Sequence, residues 1–444
     1  MRKTEWRVWL AWLVIVSLVA FIMYRNDRSS RTGGDDTTGM EDIRLRVMAE
    51  ELIGIKSLAS LAGPAQPKNL VESQKRLVAQ MEETLRTDVD RVHVAIIAGE
   101  VLDKHEALKR LDSIHSRETP GLAKDIESLR TIYSKGVAAL DSQSQERLIL
   151  RHDFFGRVAL AHGVSANEEP RKSVEAAGVR ATLMLGLMGL VFLLLIVGGV
   201  GFFIAAVILR AKGRIGRAYI PDPTARPVYL EAFALYFILF ILGFGLLRRY
   251  FALMSLQWEW LALIIIPIVM LWLSWNGVSA EDRRTALGWH KGKGVLREAG
   301  AGIAGYLAGI VVMVVGFLVT YFLMKRTGIS PQHPLVQMLQ GSRWHVLGLY
   351  LLVSVFAPLM EETMFRGALF HHLRRRWGWA VSAPVVAIIF AAIHPQGWVA
   401  VPVLGSIALV LCALREWRGS LIAPMVAHAC NNFIVLTLAL AVLR

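Results

Sequence analysis

Long apolar runs constrain this chain more than any other feature. The longest covers residues 181–209 and contains no charged side chain. A helix needs about 20 apolar residues to cross the hydrocarbon of a bilayer, and in lipid every backbone hydrogen bond must be made within the span. With 55% of its 444 residues hydrophobic, the chain is too apolar for an ordinary soluble domain. We therefore predict an all-α protein embedded in a membrane.

Apolar runs recur along the chain and predict a polytopic transmembrane helical bundle of about nine spans. The runs cover residues 8–23, 181–209, 232–247, 261–275, 299–322, 346–370, 380–393, 399–414 and 424–443. Several of them are shorter than a full crossing, so we expect these to tilt, bend or re-enter the bilayer.

The charges of the loops predict how the spans are oriented. The net charge is +14, and most basic residues lie between apolar runs, at 210–217, 283–297 and 374–376. The positive-inside rule places these loops and the N terminus in the cytoplasm and residues 26–180 outside it. Residues 1–25 form an uncleaved membrane anchor, because no small-residue cleavage site follows the first run. We expect the cell (inner) membrane as the location and no nucleic-acid partner, because topology accounts for the basic charge.

Residues 26–180 combine a linker with an inserted soluble domain of about four or five helices. Apolar residues recur there at helical spacing, and breaks fall near Gly63, Gly99 and Gly121. The stretch has no concentration of chemical groups, so we predict an interaction or regulatory domain over residues 40–175, with an unknown partner. Its scattered histidines are expected at the surface or at helix caps: His93, His105, His115, His152 and His162.

Two adjacent acids and an arginine follow directly on the apolar residues 346–359. Charged side chains at membrane depth are costly and mark functional sites. Residues four apart share a helix face, so Glu362 and Arg366 can pair and neutralise each other. Glu361 points about 100° away and has no local partner, which leaves it available for chemistry. The alternative is a helix end that meets the lipid headgroups.

Two further polar pairs lie in later apolar runs. His394 follows Phe390 by four residues, and Asn432 follows His428 by the same spacing. Taken singly, His394 is better explained as an interfacial histidine, whereas a functional site and a plain interhelical hydrogen bond explain His428 and Asn432 equally well. Together with Glu361 they supply a base for water and donors for an oxyanion, as a hydrolase needs. The alternative is a metal site with Glu361, His394 and His428 as ligands and one open position.

One geometric conflict accompanies this grouping. If the spans are straight, Glu361 lies nearer the cytoplasmic side and His394 nearer the other, with an axial mismatch on the order of 10 Å. A tilt or a broken helix within residues 380–414 would remove the mismatch.

The three motifs resemble those of a known family. They are Glu361-Glu362-x-x-x-Arg366, Phe390-x-x-x-His394 and His428-x-x-x-Asn432. This combination resembles the signature of the CAAX-processing and bacteriocin-processing (CPBP) intramembrane proteases, the group that includes CAAX prenyl protease 2. The resemblance covers residues 280–444 as a protease domain and leaves residues 181–279 as additional transmembrane helices.

The resemblance implies an endopeptidase that hydrolyses peptide bonds of a membrane-associated protein or peptide. In this family's pattern, Glu361 and His394 would activate water, and His428 with Asn432 would stabilise the oxyanion. The supporting residues that it implies are Glu362, Arg366 and Phe390. We expect no required cofactor, with Zn2+ as the alternative. The rival functions are a non-catalytic scaffold or immunity-type protein of the same fold and a proton-coupled transporter.

Overall fold

Every regular element in the described part of the chain is a helix, which confirms the all-α prediction. The computed structural model describes residues 5–32, 37–61, 68–82, 85, 87–114, 121–220, 227–243, 262–329, 331 and 342–443. Its helices are α1 (Glu5–Thr32), α2 (Thr37–Leu61), α3 (Lys68–Glu82), α4 (Asp88–Val101), α5 (Lys104–Ser113), α6 (Leu122–Lys135), α7 (Ser142–His152), α8 (Phe154–Leu160), α9 (Arg171–Ala211), α10 (Val228–Phe237), α11 (Ala262–Trp275), α12 (Ala280–Leu287), α13 (Val295–Thr327), α14 (Arg343–Arg376), α15 (Trp379–Ala392), α16 (Val401–Arg418) and α17 (Ile422–Leu443).

Six of these helices are long and apolar enough to cross a membrane, namely α1, α9, α13, α14, α16 and α17. Three of the shorter helices, α10, α11 and α15, are also apolar. Together they correspond in order to the apolar runs of the sequence, although residues 244–247 and 261 of two runs lie outside the described residues. The chain is therefore an integral membrane protein built as a helical bundle.

The chain divides into two compact units. The membrane unit contains residues 1–34 and 192–440, and the helical unit contains residues 35–191 and 441–444. The domain boundaries predicted after residues 25, 180 and 279 are not tested by this division and stay predictions.

The centre of the helical unit is α4, because residues 92–98 are buried on every side of it. A helix that is apolar all round belongs in a core. It begins with a capping box, in which the Asp90 N–H donates to Thr87 Oγ1 at 3.1 Å and the Thr87 N–H donates to Asp90 Oδ2 at 3.0 Å. The Asp103 side chain caps the next helix by accepting hydrogen bonds from the N–H groups of His105 and Glu106. These caps fix where the central helix begins and where its successor starts.

The predicted number of helices in this unit is wrong. The described part contains seven helices, α2 to α8, rather than four or five, because capping residues such as Asp103 start new helices within continuous helical spacing. The break predicted near Gly99 falls at Leu102 and Asp103, between α4 and α5. Gly99 itself lies inside α4, where a Cβ atom would lie 2.5 Å from Cε1 of Tyr133. Gly121 directly precedes α6, and Gly63 lies outside the described residues.

The histidine prediction is also wrong at two positions. His93 and His152 are buried, with 3.1 Å between Nε2 of His93 and Nδ1 of His152. The His93 ring stacks on Phe155 with centroids 4.0 Å apart, and His152 Nε2 lies 3.4 Å from the fully buried Asp125 carboxylate. Of the other histidines, His105 is exposed and His162 is half-buried. His115 lies outside the described residues.

Burial of these two rings makes the helical unit sensitive to acid. Burial lowers the pKa of His93 from 6.5 to about 3 and also lowers the pKa of His152. The unfolded chain therefore binds these protons more readily than the folded chain does. The stability contributed by the neutral rings is complete above pH 6.5 and is lost as the pH falls toward 3.

The central helix of the membrane unit is α14, which contains two π-helical turns. They occupy Leu352–Phe356 and Thr363–Leu369. Residues 362–370 are buried on all sides, and α10, α15 and α16 pack around them. The double-glutamate motif therefore lies in the middle of the bundle rather than at a helix end among headgroups.

The predicted anchor, α1, also packs into the bundle. Ala11 and Ile15 are buried in the same core as α10. At the start of the helix, Arg7 Nη2 donates to Glu231 Oε2 at 2.7 Å and to Asn276 Oδ1 at 3.1 Å. The N-terminal span is therefore a structural part of the membrane unit.

We predict that the helical unit resists urea less well at about pH 5 than at about pH 7.5, because protons bind the unfolded histidines first. The measurement is the urea midpoint of the full chain in lipid nanodiscs, followed by circular dichroism. In His93→Phe, which keeps a ring on Phe155, the difference between the two midpoints shrinks. In the exposed control His105→Phe it stays the same. Equal midpoints for the wild type at both pH values would contradict this account.

Candidate active site

The site begins where α14 widens. Glu361 and Glu362 end a regular helical stretch, and the π-helical turn starts at the next residue, Thr363. Such turns are rare and occur often at functional sites. The turn contains Arg366, so the relation between the acids and the arginine depends on this widened backbone.

Glu362 and Arg366 form the buried ion pair that the sequence predicted. Both side chains are fully buried, and Arg366 Nη1 donates to Glu362 Oε1 at 2.9 Å. His428 Nδ1 lies 2.9 Å from the same oxygen, and Arg366 Nη2 donates to the Ala408 carbonyl at 3.3 Å. Desolvating two charges is costly unless further hydrogen bonds satisfy them. The second and third partners supply those bonds and join α14 to α16 and α17.

Phe390 brings the three motifs together. Cζ of Arg366 lies 4.6 Å from the centre of the Phe390 ring, a cation–π contact that stabilises a desolvated guanidinium. The rings of His394 and His428 have centroids 4.5 and 5.9 Å from that of Phe390. One aromatic ring thus contacts a member of each motif, from α14, from the end of α15 and from α17.

Glu361 is the acid that remains available. Its side chain is 18% exposed, and its Oε2 lies 3.8 Å from His428 Nε2, too far for a hydrogen bond. Within the described residues this buried oxygen has no hydrogen-bond partner. His428 links Glu361 to His394: the rings of His394 and His428 both lie against Phe390, with centroids 4.5 and 5.9 Å away. The expected axial mismatch therefore does not keep His394 away from the ring beside Glu361.

The ring orientation of His394 follows from its own helix. Its Nδ1 lies 2.6 Å from the Phe390 carbonyl, and a carbonyl only accepts hydrogen bonds. Nδ1 therefore carries the hydrogen, and Nε2 keeps a lone pair that can accept a proton or a hydrogen bond.

Asn432 contacts a different part of α14 from the other motif residues. Its Nδ2 donates to the Val353 carbonyl at 2.9 Å, inside the first π-helical turn. Val353 precedes Glu361 by a little over two helical turns, at about 3.6 residues per turn. Farther along α17, Thr437 bonds to Tyr350 at 2.9 Å. As α17 advances, its partners move backward along α14, so the two helices run antiparallel, and Asn432 lies one turn from His428.

Three side chains outside the predicted motifs support the site. Trp289 Nε1 donates to Thr363 Oγ1 at 3.0 Å, and Asn26 of α1 donates to the His394 carbonyl at 2.9 Å. Tyr236 of α10 is fully buried, with its ring centroid 6.4 Å from that of Phe365 on α14. A polar residue at the end of an apolar span was the only sequence signal for Asn26, and nothing in the local pattern distinguished Tyr236.

The alternative zinc site, with Glu361, His394 and His428 as ligands, stays a prediction. Among the described residues, no group of three or more histidine, cysteine, aspartate or glutamate side chains is placed to hold a metal ion. Nδ1 of His428 is bound to Glu362 and Nδ1 of His394 to the Phe390 carbonyl, so Nε2 is the nitrogen that each ring would offer to a metal.

Comparison with known proteins agrees with the motifs. Residues 343–434 match the family model described as type II CAAX prenyl endopeptidase Rce1-like, which confirms the predicted resemblance for this segment and supports a protease. An uncharacterized 24.3 kDa protein of Escherichia coli is 28% identical over 141 residues, which is 30% of this chain and 62% of that protein. The chain thus spans less than two thirds of that relative. No solved structure matches the chain significantly.

We predict that Glu362→Gln destabilises the membrane unit by about 3–5 kcal/mol, because Arg366 would remain buried without its counter-charge. The measurement is unfolding of the purified full chain in mixed micelles with increasing sodium dodecyl sulfate. The matched control is Glu281→Gln on the exposed first turn of α12, which should change stability by less than about 0.5 kcal/mol. Equal stability of both variants would mean that Arg366 does not depend on this carboxylate.

Proposed function

We propose that this chain, whose residues 343–434 match the type II CAAX prenyl endopeptidases, is an intramembrane endopeptidase. Its substrate would be a membrane-associated protein or peptide. The observation that carries the proposal is the meeting of three motifs around Phe390, with the unpartnered Oε2 of Glu361 beside them. A general base needs such a free acceptor close to groups that orient water.

In the proposed first step, Glu361 and His394 activate water. Glu361 Oε2 accepts one hydrogen of the water, and the Nε2 lone pair of His394 accepts the other. Attack of the water oxygen on the scissile carbonyl transfers a proton to Glu361. The same proton then passes to the leaving amine as the carbon–nitrogen bond breaks, so the acid returns to its starting state.

In the proposed second role, His428 and Asn432 stabilise the oxyanion. Nδ1 of His428 is bound to Glu362, so Nε2 donates only when the ring is doubly protonated. The carboxylates of Glu361 and Glu362 beside the ring compensate that charge. Asn432 uses one amide hydrogen for Val353 and keeps a second for the substrate. Preorganised donors of this kind typically contribute a factor of about 10²–10³ each.

The proposed setting is the cell (inner) membrane, with the lipid bilayer around the membrane unit. The charges of the loops support a cytoplasmic N terminus and an extracytoplasmic position for residues 26–180. Residues 40–175 would then bind a partner, not yet identified, on that side.

We predict that Glu361→Gln lowers proteolysis at least about 100-fold, because an amide cannot take the proton from water. The assay uses full-length protein in nanodiscs with two peptide probes, one farnesylated and ending in a CAAX sequence and one identical but unprenylated. Products are identified by mass spectrometry. Glu281→Gln, on the exposed surface of α12, should retain wild-type activity.

The same experiment separates the rival functions. A scaffold or immunity-type protein would cleave neither probe, and its function would survive Glu361→Gln. A proton-coupled transporter would show proton flux in sealed vesicles and no cleavage product. Activity that is equal in the Glu361→Gln variant and the wild type would remove Glu361 from the proposed mechanism.

We predict that dialysis against a strong chelator leaves proteolysis unchanged, because side chains fill every proposed role. The measurement combines the cleavage rate with elemental analysis of the purified protein. Stoichiometric zinc that is lost together with activity in His428→Ala would replace this mechanism with the metal-dependent alternative.

A further inference from the structure

Arg415 of α16 is buried in an unusual way. Its side chain is completely inaccessible, yet no carboxylate of the described chain accepts a hydrogen bond from it. Instead, Nε donates to the Arg366 carbonyl at 3.3 Å and Nη2 donates to the Ala286 carbonyl at 2.9 Å. A desolvated cation held by carbonyl groups contributes little net stability. The role of Arg415 is therefore to hold the backbone groups that it binds in position.

That geometry concerns the π-helical turn Thr363–Leu369. Arg366 lies in the middle of the turn, and its carbonyl is tied through Arg415 to the end of α12. A π-helical turn holds one residue more than an α-helical path requires. If it relaxed, the backbone path from Thr363 onward would shift, and the side chains of the turn would change direction relative to α15 and α16. The contacts of Arg366 with the Ala408 carbonyl and the Phe390 ring, beside Glu361, would then be lost.

Two further contacts hold the same turn from the α12 side. Trp289 Nε1 donates to Thr363 Oγ1 at its start. At Gly367, a Cβ atom would lie 3.1 Å from the Leu287 carbonyl, so the two backbones are in contact. The end of α12 and the residues after it therefore contact the turn at Thr363 and Gly367 and, through Arg415, at Arg366.

The guanidinium also has a tightly fitted enclosure. Cζ of Arg415 lies 4.7 Å from the centre of the Tyr219 ring, and the Tyr219 hydroxyl lies 2.7 Å from His371 Nδ1 on α14. Gly288 has a φ of +81°, and a Cβ there would lie 2.6 Å from Cζ of Arg415. Any other residue at 288 would displace the guanidinium, so the pocket is shaped for this side chain.

We propose that Arg415 is a positioning residue of the endopeptidase: it fixes the π-helical turn Thr363–Leu369 and so holds the Glu362–Arg366 pair and His428 in register beside Glu361. The inference rests on the proposed function for its effect on catalysis. Its structural part concerns the turn alone and has its own measurement.

The test compares Arg415→Lys with wild type as full-length proteins in nanodiscs. Lysine keeps the charge but lacks the planar fork that reaches two diverging carbonyls. Using whichever peptide probe the wild type cleaves, we expect kcat to fall roughly 10- to 100-fold, as for a small displacement of catalytic groups. KM should change by less than about threefold, because Arg415 does not face the substrate. Amide hydrogen exchange of residues 363–369 should rise about tenfold.

The matched control is Arg418→Lys, one turn farther along α16. Arg418 binds Glu298 at 2.8 and 2.7 Å and has no bond to the turn, so kcat and exchange at 363–369 should stay within about twofold. If Arg415→Lys does not fold, Trp289→Phe takes its place. It removes only the bond to Thr363 and should show the same fall in kcat without a change in KM.

Each outcome decides the inference. A lower kcat with faster exchange in Arg415→Lys supports it. Unchanged kcat and exchange, or a raised KM with unchanged kcat, would overturn it while leaving the proposed function intact. If the wild type cleaves neither probe, the proposed function fails. Exchange at residues 363–369 then decides alone whether Arg415 fixes the turn.

Discussion

The buried pair of Glu362 and Arg366 is the interaction on which the membrane unit depends. Both side chains are fully removed from solvent, and each charge would be costly in an apolar bundle without the other. Their remaining bonding capacity recruits His428 from α17, the Ala408 carbonyl from α16 and the Phe390 ring from α15. One ion pair thereby specifies how four helices meet. Apolar contacts tolerate changes of register, whereas these polar contacts need His428, Ala408 and Phe390 at defined positions.

Two adjacent acids have different environments because a helix rotates by about 100° per residue. Glu362 is fully buried, and its Oε1 binds Arg366 and His428, whereas Glu361 is 18% exposed and has no hydrogen bond to a described residue at its Oε2. The division of labour in the proposed mechanism follows from this difference: one carboxylate positions the helices and the other is free for proton transfer. The π-helical turn that follows both acids sets the angle between them and Arg366.

Elements outside the matched residues 343–434 complete the site. Asn26 of α1 donates a hydrogen bond to the His394 carbonyl, and Trp289 donates one to Thr363. The Tyr219 ring packs against the Arg415 guanidinium. The match covers the motifs but none of these three side chains. The proposed protease is therefore not a separate module to which extra helices are attached, because the N-terminal span and the segment after α9 contribute contacts to its core.

The sequence by itself determined the helical membrane fold, the pairing of Glu362 with Arg366 and the three motifs, because these depend on run length and on a spacing of four residues along one helix. Spacing gives the face of a helix but not its partner. Only the tertiary structure brought the rings of His394 and His428 to Phe390, turned Asn432 toward Val353 and placed Arg415 against the Arg366 carbonyl. It also buried His93 against His152 and packed Tyr133 on Gly99. These contacts join residues that lie far apart in the chain. They depend on side-chain packing and on helix caps, and the spacing of residues along one helix does not specify either.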